Sequence, residues 1–134
     1  MRFIYILLPL CLLLCTKPVR AEVNAENAPL TIVEQDYKRA LELAAEQDKL
    51  LFIDFYTVWC GPCKQLDKYV FQNDSLRRLL GQQVVLLKYD AERDTTFLLS
   101  KNYLVSRYPT WLLLTPEGRV LTRKAGFAGS DAAS

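Results

Sequence analysis

The sequence predicts an α/β domain whose central sheet mixes parallel crossovers with one antiparallel hairpin. Three observations predict it. Leu50–Tyr56 (LLFIDFY) and Val84–Tyr89 (VVLLKY) are short, nearly continuous apolar runs, as expected for strands covered on both faces. Helical signals fill the stretch between them, so the two strands are joined by a crossover. Thr110–Leu114 (TWLLL) and Val120-Leu121 flank the turn residues Pro116 and Gly118 and are expected to pair as a hairpin.

From the N-terminus, Met1-Arg2 precede an apolar stretch from Phe3 to Cys15, and Val19-Arg20-Ala21 places small residues at −3 and −1 of a cut after Ala21. This reads as a signal peptide over residues 1–21. The alternative of an uncleaved anchor meets an apolar run shorter than the roughly 20 residues that span a bilayer. Acylation at Cys15 is disfavoured by Leu14, where a small residue is expected. Residues 22–30 are polar, carry Pro29 and read as a flexible leader, with the folded domain at 31–134.

Within the domain, Tyr37, Ala40, Leu41, Ala44 and Ala45 recur at helical spacing among charges, giving an amphipathic helix after Asp36. The first strand then carries Asp54 out of pattern in its middle. A helix is expected from around Cys60–Pro62 to about Val70, since Pro62 is tolerated in a first turn. A second short helix follows Asn73-Asp74-Ser75 and is expected to stop at Gly81. After Val84–Tyr89, Asp94 or Thr95 caps a helix carrying Phe97, Leu98 and Tyr103, and the hairpin closes the sheet. The predicted order is α β α β α β β. Only FAGSDAAS follows Gly126, so a final helix is expected to be missing or truncated.

Composition excludes several function classes. A chain of 134 residues with 51% apolar content supports one core. The net charge of +2, with both signs interspersed, gives no reason to expect nucleic acid or an acidic membrane surface as partner. There is no histidine, which removes Ser-His and Cys-His nucleophile pairs and histidine metal sites. After cleavage at Ala21, 14 basic residues face 15 acidic ones, a charge of −1, and only Cys60 and Cys63 remain of the four cysteines. A four-cysteine zinc site cannot then be built in one chain, and neither a metal nor a cofactor is expected.

Those two cysteines lie in Trp59-Cys60-Gly61-Pro62-Cys63-Lys64. A redox cysteine reacts as a thiolate, and a helix N-terminus favours that charge. Spacing of three puts Cys63 one turn beyond Cys60, within disulfide reach. Cys60 is expected to attack a substrate disulfide and Cys63 to resolve the adduct; Gly61-Pro62 shapes the turn and Trp59 packs beside the sulfurs. Two alternatives stand beside this. A zinc site shared between chains needs a second copy, and an inert bridge over so short a loop would contribute little stability. Asp54, in a buried strand, is a candidate proton relay to Cys63 with Lys88 as its partner; the alternatives are a structural ion pair or a carboxylate that reaches water.

At WCGPCK the sequence resembles the thioredoxin family, and FIDFYTVWCGPCK extends the likeness to Asp54 and Trp59. Arg107-Tyr108-Pro109-Thr110-Trp111 matches the family's second motif. The resemblance implies a three-layer thioredoxin-like fold, a cis Pro109 facing the dithiol, and a substrate-binding surface at Tyr108, Pro109 and Thr110. The run KYVFQNDSLRRLL and AGFAGSDA near the end look closest to the C-terminal domain of the bacterial transmembrane disulfide reductase and to small exported relatives of it. What this implies is an exported, periplasmic or secreted, monomeric thiol-disulfide oxidoreductase. It would reduce protein disulfides or relay electrons to them, supplied by an upstream thiol reductant such as a membrane reductase. The alternatives are an isomerase or oxidase, or a binding module that grips a protein through Tyr108, Pro109 and Trp111.

Overall fold

A computed structural model of the chain describes residues 28–126. The expected signal peptide, most of the expected leader and the residues after Gly126, including the expected loss of a final helix, lie outside the described residues. Strand β1 (Thr31–Glu34) leads into α1 (Tyr37–Glu46), β2 (Leu50–Tyr56), α2 (Gly61–Leu66) and a π-helical segment (Asp67–Phe71). Then come α3 (Asp74–Gln83), β3 (Val84–Asp90), α4 (Leu98–Asn102), β4 (Thr110–Leu114) and β5 (Val120–Ala125). The sheet order is β1-β3-β2-β4-β5, with β1, β3 and β2 parallel and β4 and β5 antiparallel to their neighbours.

Alternation along the central strands divides the core into two halves. Leu51, Ile53 and Phe55 of β2, with Val85 and Leu87 of β3, pack beneath α1, where Ala40 and Ala44 are fully buried. These two alanines, four residues apart, let the helix lie close on the sheet. On the other face Leu86, Val84 and the flanking Phe52, Trp111 and Leu113 meet Leu66, Phe71 and Leu80. The sheet is therefore sandwiched between helices, in three layers. Asp54 and Lys88 share the face that carries Phe52 and Leu86, turned toward α2.

The expected elements need five corrections, the last of them at Gly81. Strand β1 was absent from it: four residues on an edge, paired only to β3, alternate too briefly to give a strand signal. The helix expected to run unbroken to Val70 changes at Asp67 into a wider turn, in which the Gln72 N–H donates to Asp67 O at 2.9 Å. The helix expected to be capped by Asp94 or Thr95 begins only at Leu98, because Asp94 spends its carboxylate on the Thr96 N–H and the Tyr89 hydroxyl. Residues 28–30 are no free leader, since Leu30 is buried in the α2-side core.

That last contact explains why α3 runs past Gly81 to Gln83. Gly81 does not end the helix; it admits the backbone of Ala28–Leu30. A Cβ there would stand 2.7 Å from Leu30 N and 2.8 Å from Pro29 C, neither of which can rotate away. Gly81→Ala is expected to destabilise the fold by about 1–3 kcal/mol despite the better helix propensity of alanine, as measured by denaturant unfolding.

Candidate active site

Strand β2 delivers the chain to the turn before α2, where the Cys60 N–H donates to Thr57 O at 3.2 Å. Cys60 is extended (φ −71°, ψ 106°) and serves as the N-cap, its Sγ accepting from the Cys63 N–H at 3.2 Å. Pro62 occupies the first turn, as its missing N–H allows. Cys60 and Cys63 are joined in a disulfide with their Cα atoms 5.3 Å apart, so the structure shows the oxidised state. Both residues are buried, while Gly61 between them is exposed with no atom near the position of a Cβ.

The rim of the site is aromatic. Trp59 is 64% exposed, and its indole N–H donates to Glu92 Oε1 at 2.7 Å. Its ring meets Tyr108 edge-on, with centroids 6.3 Å apart. Tyr108 is followed by a cis peptide bond to Pro109, the geometry implied by the family resemblance. Pro109 and Thr110 are fully buried, and the Thr110 hydroxyl donates to Arg107 O at 2.8 Å. Thr110 also pairs with Phe55, so β4 brings the Tyr108 turn alongside the strand that leads to Cys60. Burial pushes the Tyr108 phenol up, and the negative charges of Glu92 and Asp90 push it the same way.

Behind the disulfide lies a cleft of about 380 Å³, lined among others by Cys63, Asp54, Lys88, Asp67, Tyr56 and Gln72. Asp54 is 1% exposed and its Oδ1 has no hydrogen-bond partner among the described residues. Burial pushes its carboxyl from the ordinary range up to about 7; the Lys88 ammonium opposes the rise and the Asp67 charge adds to it. Lys88 stands opposite Asp54 in the β2–β3 register, but its ammonium bonds Asp67 Oδ1. The other Asp67 oxygen accepts from Gln72 Nε2 at 2.7 Å. The expectation that Lys88 would be Asp54's direct partner is thus corrected: a carboxylate on the neighbouring helix reaches the ammonium first.

The ten sequence-predicted site residues gather at the disulfide, on two sides of it. Cys60, Gly61, Pro62, Trp59 and Tyr108–Thr110 form its outer side, and Asp54 with Lys88 flanks Cys63 on the inner side. Three residues escaped sequence reasoning. Asp67 carried a usable signal, four places after Cys63 and so on the same helix face. Glu92 carried none, because its contact with Trp59 depends on how distant loops meet in space, and Gln72 reaches Asp67 only through the wider turn at Asp67–Phe71.

The profile of the thioredoxin-like family matches residues 32–116. The chain belongs to the thioredoxin-like family. Thioredoxin-1 of Drosophila melanogaster is 38% identical over 96 residues, covering 72% of this chain and 79% of that one. A candidate disulphide-isomerase from Bacteroides thetaiotaomicron, solved in solution, superposes with a TM-score of 0.64 at 38% identity, over 75% of this chain and 84% of that one. The thiol:disulfide interchange protein DsbD of Actinobacillus pleuropneumoniae is 34% identical over 92 residues, which are 64% of this chain but only 15% of DsbD. This thioredoxin-like protein is accordingly a thiol-disulfide oxidoreductase, with Cys60 and Cys63 as its redox pair.

Proposed function

We propose that the protein is exported and works in the reducing direction, passing two electrons from an upstream thiol reductant to protein disulfides. The roles of the two cysteines in this reading rest on their surroundings: Cys60 follows the exposed Trp59, whereas Cys63 lines the cleft that holds Asp54. In the reduced protein the Cys60 thiolate attacks a substrate disulfide, forming a mixed disulfide and releasing the first substrate thiolate. Cys63 gives its proton to Asp54 and attacks Cys60 Sγ, which restores the disulfide seen here and frees the second substrate thiolate. Tyr108, Pro109 and Thr110 form the edge against which the substrate chain lies.

Gly-Pro between the cysteines favours the reducing side, where potentials lie at about −270 mV against about −120 mV for strong oxidants. Export rests on the signal-like segment 1–21, with a periplasmic or secreted destination, or an anchored one if the segment is retained. The likeness to the thiol:disulfide interchange protein DsbD supports a reductase as donor. Insulin reduction by residues 22–134 tests the activity, with Cys60→Ser as control: turnover is expected from the first and none from the second. A measured potential above about −180 mV would replace the reductant reading with isomerase or oxidase.

A further inference from the structure

Asp54 and Lys88 face each other across adjacent strands, on one side of the sheet, with Asp54 buried. A buried carboxylate beside a lysine in register is the arrangement from which an ion pair forms. Instead, Lys88 binds Asp67, the residue at which α2 gives way to the π-helical segment. Asp67 is itself steadied from its other oxygen by Gln72, and the Lys88 ammonium rests over the rings of Tyr56 and Phe71, at 5.2 and 5.7 Å. One cation thus stands between two carboxylates and is held by the one farther from the sheet.

We propose that Asp67 is a positioning residue of the redox site: it holds the Lys88 ammonium away from Asp54 and so leaves Asp54 free to take and return a proton beside Cys63. The inference rests on the reading of Asp54 as the proton acceptor of Cys63. The other groups around Asp54 do not substitute for this competition. Trp111, its partner on β4, is uncharged, and Lys124 of β5 lies over the Trp111 ring. Lys64 of α2 is exposed, Tyr56 is a neutral phenol with its ionisation pushed up, and Glu34 on β1 faces Lys88 from the far strand. Among the described residues Lys88 is the one cation in register with Asp54, and Asp67 is what occupies it.

The test follows the Asp54 carboxyl by carbon-13 NMR in the oxidised full-length protein, where neither Cys60 nor Cys63 titrates. Asp67→Ala is expected to let Lys88 swing to Asp54 and lower the Asp54 midpoint by about one pH unit or more. In a Lys88→Met background the same substitution is expected to shift it by less than half as much, and Asp67→Glu, which keeps the charge, is expected to hold the wild-type midpoint. Equal shifts in the two backgrounds would mean that Asp67 acts only by repulsion and would overturn the proposal, as would no shift at all. The pH profile of substrate release is read in parallel. If the midpoint moves and that profile does not, the competition for Lys88 stands and the relay assigned to Asp54 fails.

Discussion

Cys63→Ser is expected to turn the protein into a trap. Cys60 can still attack, because it caps α2 beneath the exposed rim, but no second sulfur remains to displace the substrate. A covalent adduct sensitive to reductant should accumulate on non-reducing gels, and multiple-turnover reduction should fall by about 10³-fold or more. Cys60→Ser should give neither adduct nor turnover, since Cys63 faces the inner cleft rather than the rim. Folding is not expected to suffer in either variant, because a bridge across three residues closes too small a loop to constrain the unfolded chain much. Adducts formed by Cys60→Ser and not by Cys63→Ser would exchange the two roles.

Much of this site was legible because its chemistry is written in contiguous sequence. Trp59–Lys64 carries both redox cysteines and the proline of the first turn in one stretch, and a strand and a helix fix their orientation. The strands Leu50–Tyr56 and Val84–Asp90 were equally plain, since burial on both faces writes continuous apolar runs. What stayed hidden depends on pairing in space. Four residues of β1 become a strand only through hydrogen bonds to β3, and Gly81 reads as a helix stop until the backbone of Pro29 and Leu30 is seen against it. The partner of Lys88 was misjudged for a similar reason. Strand register puts Asp54 opposite the lysine, but a long flexible side chain bonds whichever carboxylate its end can reach, and Asp67 arrives from another layer.

Asp54→Asn is expected to make the protein more stable at neutral pH and a poorer catalyst. The Asp54 carboxyl is pushed up to about 7 in the folded protein by burial, whereas in the unfolded chain it titrates near the ordinary value of about 3.9. Between those two values the folded state holds a proton that the unfolded state has released, so stability falls as pH rises through this window. The full penalty, on the order of 4 kcal/mol, applies above pH 7, and it vanishes below about pH 4 where both states are protonated. Asparagine fits the same space without ionising. The stability advantage of Asp54→Asn over wild type should therefore grow between about pH 4 and pH 7 and then level off, as followed by denaturant unfolding at a series of pH values. An advantage that stayed constant across that range would show that Asp54 ionises normally. With Asp54 as the proposed proton acceptor of Cys63, the same substitution should slow release of substrate by about 10²-fold near neutral pH, leaving formation of the Cys60 adduct almost unchanged. Opposite signs in the two measurements would explain why the sheet holds a buried carboxylate whose Oδ1 has no hydrogen-bond partner among the described residues: its ionisation would be costly to the fold for the same reason that it could exchange a proton near pH 7 beside Cys63.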